Sequence, residues 1–227
     1  MVIKRHFDDE LKRLKDKLFR MGLLVEQAID NASNALFQRD TNLAHSIIKN
    51  DQEINLCEVE IDELGHELIA LYQPAAVDLR FITVVLKMTS DLERMGDHAV
   101  NIAEKAMVMN QEPPVKPYHD LLPEMAQLAR LMVRDSLNAF MENDAVKAKE
   151  ILEKDDMIDQ LNDQIYYEVQ GVMQKQPDRI KTGVSLIMVA HNLERLADLA
   201  TNIAEDVIYL KQGVDVRHHI RERRGLP

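Results

Sequence analysis

"LERMGDHAVNIAE", residues 92–104, and "LERLADLATNIAE", residues 193–205, are two versions of one helical segment in a single chain. They agree at nine of thirteen positions: Leu, Glu, Arg, Asp, Ala, Asn, Ile, Ala and Glu. Shared helical composition does not produce that identity, so the pair reads as a duplication. Further out, "NALFQRDTNLAHSIIKND" (34–51) aligns with "NAFMENDAVKAKEILEKD" (138–155), including Asn34/Asn138, Asp40/Asp144, Ile47/Ile151 and Asp51/Asp155. The offset there is 155−51=104, against 194−93=101 for the opening segments, so the second copy lacks three residues in a loop between them. A period near ~100 residues is a duplicated domain, not a short-repeat solenoid.

Each copy reads as three helices. With 7 Gly, 7 Pro and 4% aromatic residues in 227, the chain is poor in turn and strand formers, and its abundant Leu, Ile, Ala, Met, Glu and Lys favour helix. Prolines at 74, 113, 114, 117, 123 and 177 mark the breaks, because proline clashes with the preceding turn and lacks an N–H. Between them the apolar spacing predicts helices over 5–38, 41–72, 77–110, 120–142, 145–175 and 179–212. Asp40 and Asp144 stand where N-caps or turn residues belong. The expected fold is all-α, two tandem antiparallel three-helix bundles related by internal duplication. The expected domains are residues 1–110, a Pro-rich linker 111–122, and 123–227 with a basic tail.

Composition narrows the function. A net charge of −11 repels nucleic-acid backbones and anionic lipid, so neither is an expected direct partner. The C-terminal "RHHIRERRGLP" runs against that charge, as a solvated tail or as a basic contact for a partner or a membrane face. Cys57 stands alone, which rules out an internal disulfide. The start, "MVIKRHFDDELKRLKDKLF", has charge where a signal peptide needs an apolar core, and runs such as "FITVVL" fall short of the ~20 residues that span a bilayer. A cytoplasmic location follows as an expectation, with membranes met only through partner proteins.

The repeated helices carry the chemistry. At about 100° per residue, Glu93, Asp97, Asn101 and Glu104 share one stripe, opposite the apolar Met88, Leu92, Met95, Ala99 and Ile102. The second copy repeats it as Glu194, Asp198, Asn202 and Glu205. Helix 2 carries Asp51, Asn55, Glu58 and Asp62, and helix 5 supplies Asp155, Asp159 and Asn162 at the positions of the first three. With helix 2 antiparallel to helix 3, and helix 5 to helix 6, the stripes border one groove in each half. Crowded carboxylates must take up protons, bind cations or splay into water. Oxygen donors without a Cys or His cluster suit magnesium, manganese or iron rather than zinc. One multi-carboxylate metal site per half is therefore expected; the plainer reading is a solvated acidic face, since acids four apart repel along a helix.

Other features rank lower. "ELGH" (63–66) has the Glu-x-x-His form of ferritin-like di-iron bundles, but the other copy reads "YEVQ" there. A di-metal carboxylate enzyme, oxidising iron or hydrolysing a phosphoester, is the alternative, and a metal-free scaffold a third reading. His191 projects near the second stripe as an extra ligand candidate. Arg94 and Arg195 either neutralise the grooves, bind an anion, or pair with an acid on their own helix.

The paired "LERMGDHAVNIAE" and "LERLADLATNIAE", with "DQEIN", "DDMID" and "DLRFI", resemble the PhoU family of phosphate-signalling accessory proteins along essentially the whole chain. One departure is "ERLAD", with Ala197 where a glycine is more usual. The resemblance implies a negative regulator of phosphate uptake and of the phosphate regulon. It implies a cytoplasmic adaptor between the ATPase subunit of the phosphate ABC transporter and a sensor histidine kinase, commonly a homodimer. It also implies multinuclear metal on Glu93 and Asp97 and on Glu194 and Asp198, with Asp51, Asn55, Asp155 and Asp159 as partners across each groove.

Overall fold

The structure, a computed structural model, describes residues 2–114, 118 and 120–213. The basic C-terminal stretch singled out above lies outside them. Six long helices follow in order: α1 (Val2–Phe37), α2 (Thr41–Tyr72), α3 (Ala76–Met109), α4 (Leu121–Glu142), α5 (Ala145–Lys175) and α6 (Ile180–Gln212), with one 3₁₀ turn at Pro177–Arg179. No strand occurs among the described residues.

The duplication extends to the turns. Asp40 accepts backbone N–H bonds from Asn42 and Leu43 at 2.9 and 3.0 Å; Asp144 does the same for Val146 and Lys147 at 2.9 and 3.2 Å. Each satisfies donors that a helix start leaves open. The residue before each cap is left-handed, Arg39 at φ 58° and Asn143 at φ 52°. Asparagine tolerates that conformation, whereas arginine does so at a cost of about 1–2 kcal/mol. The Arg39 guanidinium offsets it by donating to the carbonyls of Met109, Asn110 and Glu112 at 3.2, 2.7 and 2.7 Å, closing the end of α3.

Helices α2, α3, α6 and α5 form a front layer in that order, with α1 and α4 side by side behind it. Leu14, Leu18, Met21 and Ile29 of α1, Ile61 and Leu68 of α2, and Met88, Leu92 and Met95 of α3 are fully buried, and the cores of both halves merge into one cluster. In front, the halves meet along antiparallel α3 and α6. There Lys87 Nζ donates to both carboxylate oxygens of Asp206, at 2.7 and 2.8 Å, and His98 Nδ1 lies 2.8 Å from Asn192 Oδ1. Behind, α1 and α4 flank a cleft of about 420 Å³ in which Glu26 and Asp30 face Arg130 and Arg134. These are equivalent positions of the duplication with opposite charge, since 130−26 and 134−30 are both 104. Asp30 Oδ1 lies 2.5 Å from Arg130 Nε.

Candidate functional site: two acidic grooves on the front layer

The first groove runs between α2 and α3. Gly96 brings the helices together: a Cβ there would meet Asp51 Oδ1 at 3.2 Å and Ile54 Cδ1 at 3.1 Å. Asp51 Oδ2 accepts a 3.1 Å bond from Asn55 one turn on. Burial raises the Asp51 carboxyl above its ordinary range; the Asn55 bond opposes this and the charge of Asp97 adds to it. Glu93 is raised by burial, then by Asp97, Glu58 and Asp51, with Arg94 opposing. Glu58 is raised by burial, then by Asp62 and Asp97. Asp51, Asn55, Glu93 and Asp97 thus share one field, as the two-stripe argument requires. Glu58 belongs with them although it is not among the ligands set out above, and its seven-residue spacing from Asp51 is the signal that finds it.

The second groove, between α5 and α6, has the same frame and different electrostatics. Gly183 packs against Val169 and Met173, and by the duplication Asp155 and Asp198 hold the positions that Asp51 and Asp97 hold in the first half. His191 Nδ1 lies 2.9 Å from Glu194 Oε2, and Arg195 donates to Asp198 Oδ2 at 3.0 Å. Burial raises Asp198 and Glu194 adds to this, while Arg195 and His191 oppose it. Arg195 therefore pairs within its own helix, as does Arg94, 3.6 Å from Asp91.

Two stripe asparagines part company with the others. Asn101 is exposed on α3. Asn202 turns away from the α5–α6 groove, its amide favouring the charged form of Asp91 across the α3–α6 seam. Four residues advance a helix by 400°, so a stripe drifts about 40° per step, and by position 202 it faces α3. Asp91 itself is buried. Its pKa is pushed up to about 6 by burial, with Lys87 and Arg94 opposing and Asp206 adding. Its Oδ2 has no hydrogen-bond partner. Burial lowers the pKa of His98, and its seam contact with the Asn192 amide oxygen partly offsets this. His66 and Glu63 are exposed on α2, on the turn of helix that faces water.

In donor type the grooves fit a hard cation: carboxylate oxygens, with His191 the one nitrogen nearby. Among the described residues no three His, Cys, Asp or Glu side chains are close enough, as they stand, to share one ion. The carboxylates border each groove, and holding an ion would require them to draw closer together than they stand.

Fold and grooves together define a duplicated all-α protein with paired acidic clefts. A family model described as the PhoU domain matches residues 18–106 and again 122–207, one match per half. A phosphate-specific transport system accessory protein PhoU homolog of Aquifex aeolicus is 44% identical over 215 residues, 94% of this chain and 97% of that protein. A homolog of the same description in Clostridium acetobutylicum is 36% identical over 219 residues, 95% of this chain and 98% of its own. The crystal structure of PhoU from Pseudomonas aeruginosa superposes with a TM-score of 0.89 at 35% identity, covering 92% of this chain and all of that one (100%). The chain belongs to the PhoU family. No described helix is long and apolar enough to cross a membrane.

Proposed function

We propose that this chain is a non-enzymatic accessory regulator of phosphate-specific transport. In this reading it is a cytoplasmic adaptor between the transporter's ATPase subunit and a sensor histidine kinase, restraining uptake and the phosphate regulon. Support for the transport role comes from relatives named as accessory proteins of that system over nearly their whole length. The adaptor role, the kinase and a homodimeric state rest on family membership.

The grooves are the regulated element of the proposal. One observation carries it: Gly96 lets α2 and α3 approach until Asp51 packs beside it, and in that groove burial first, then the charge of Asp97, disfavours ionisation of Asp51, Glu58 and Glu93. A divalent or ferric ion relieves that repulsion, and filling or emptying the groove changes which basic surface the front layer attracts. Such an ion acts as a switch only if it favours one conformation or complex over another. Magnesium, manganese and iron all satisfy the donor set, held by Glu93, Asp97, Asp51 and Asn55 in one half and by Glu194, Asp198, Asp155 and Asp159 in the other.

Metal analysis of chain purified without added metal tests this, comparing it with Glu93→Ala/Asp97→Ala and Glu194→Ala/Asp198→Ala. Metal is expected to be lost half by half with helical content unchanged. Equal metal in all three proteins removes the site assignment.

A further inference from the structure

The two halves differ in what surrounds their grooves. On α5, Tyr166 is 47% and Tyr167 68% exposed; on α6, Ile180, Val184 and Met188 are 50%, 45% and 42% exposed. The α6 residues stand four apart in a stripe that drifts from the outer face toward α3, where Met188 holds the position of Lys87. Tyr166 continues the α5 stripe that begins with Asp155, Asp159 and Asn162, placing it at the same α5–α6 groove. The rings of Tyr166 and Tyr167 meet edge-to-face, centroids 5.7 Å apart, a ledge with little side-chain freedom left to lose. At the equivalent positions the first half has Asp62, Glu63, Leu79, Thr83 and Lys87. Only Leu79 there is a large apolar residue. Duplication supplied two grooves, and one of them acquired an apolar and aromatic apron.

We propose that this apron, set apart from the exposed Leu71, Val77 and Leu79 of the first half by its tyrosines and its acidic edge, is the protein-docking surface of the molecule. Solvent-facing tyrosines and aliphatic side chains on neighbouring helices are the composition of interface anchors. The neighbouring charges choose the occupant. Asp159 and Asp163 are exposed one turn apart on α5, while on α6 Glu194 is paired with His191 and Arg195 with Asp198. The occupant is a partner segment with two or three large apolar side chains and lysines or arginines along the edge that meets Asp159 and Asp163.

The inference deepens the adaptor reading and rests on it, so the probe is the purified ATPase subunit of the cognate phosphate transporter. Binding would be measured for wild type, Tyr166→Ser/Val184→Ser/Met188→Ser, the single variant Tyr167→Ser, and the first-half control Glu63→Ser/Leu79→Ser. The triple variant is expected to bind at least tenfold more weakly, Tyr167→Ser about threefold to tenfold, and the control within twofold of wild type. Asp163→Lys should slow association several-fold, the more so at low salt. Hydrogen-exchange protection of the wild-type complex should fall on residues 163–170 and 180–191, a readout that needs no variant to fold. Undiminished binding by the apron variants, equal loss in the control, or protection elsewhere overturns the proposal and leaves the adaptor reading standing. Apron variants that break a wild-type dimer yet still bind the subunit show a self-contact instead and overturn it as well. No binding by wild type sinks the adaptor reading and the proposal together.

Discussion

The inner helices α3 and α6 share a motif, a register and a groove position, yet they handle charge in opposite ways. In α3 the acids repel one another across the groove, and its lysine leaves for the seam: Lys87 reaches Asp206. In α6 the acids are matched locally, Glu194 with His191 and Asp198 with Arg195. Where α3 has Lys87, Asp91 and Gly96, α6 has Met188, Asn192 and Ala197. Backbone positions survived duplication because packing fixes them, while side-chain charge diverged as the seam between the copies required a donor on one side and an acceptor on the other. Writing residues of α6 into α3 asks how far that division holds.

Lys87→Met should have the largest effect. Asp206 is 3% exposed, and removing the ammonium from a buried ion pair costs about 3–5 kcal/mol. With the lysine side chain 39% exposed, about 2–3 kcal/mol is expected, a fall in Tm on the order of 5–10 °C. A change below 1 °C would mean the seam does not depend on this pair.

Asp91→Asn should act in the opposite direction. A carboxyl raised to about 6 when folded gives stability that is complete below its unfolded value near 3.8 and lost as pH rises through about 6. At pH 7 the wild type therefore folds around a buried charge that the variant lacks. Denaturant unfolding with chelator present should find the variant about 1–2 kcal/mol more stable at pH 7, with the slope between pH 4 and 6 reduced. A variant less stable than wild type at pH 7 would show that the seam needs the charge.

The grooves themselves should differ by about tenfold in manganese affinity, or roughly 1.4 kcal/mol, with the first tighter because no arginine competes for Asp97 as Arg195 does for Asp198. Arg195→Ala should narrow the gap, and calorimetry on the two double-alanine variants reads each groove alone. Equal affinities, unmoved by Arg195→Ala, would show that local pairing does not set ion preference.

Gly96→Ala should change least. Alanine gains about 1 kcal/mol of helix propensity, and its methyl presses on side-chain atoms of Ile54 and Asp51 that can yield by tenths of an ångström. Net stability should stay within about 1 kcal/mol, with a small shift in metal affinity as Asp51 moves. A loss above 2 kcal/mol would show that α2 and α3 cannot separate at all.

Much of this was legible before any coordinates. Six helices follow from apolar spacing and proline breaks, because long periodic segments state their own ends, and Asp40 and Asp144 sit as caps where the repeat placed them. The stripes were legible because each lies within one helix. The seam was not: nothing within α3 or α6 says that they meet, so Asn202 turning to Asp91 and His98 bonding Asn192 are products of docking. The matched acids of α6 were half legible, since a pairing three residues away is local, but which nearby cation each acid takes is set by packing. The apron was not legible, because Ile180, Val184 and Met188 share the four-residue spacing of core positions and only packing leaves them facing water.

The cleft behind the front layer has a consequence for the chain as two parts. A self-dimer of the first half would set Glu26 and Asp30 against their own copies, and a self-dimer of the second would set Arg130 against Arg134. Only the mixed pairing brings Asp30 to Arg130. Expressed as separate polypeptides, the halves are expected to favour the mixed pair over either self-pair by a modest margin, because these partly exposed charges attract across the cleft and repel within each half.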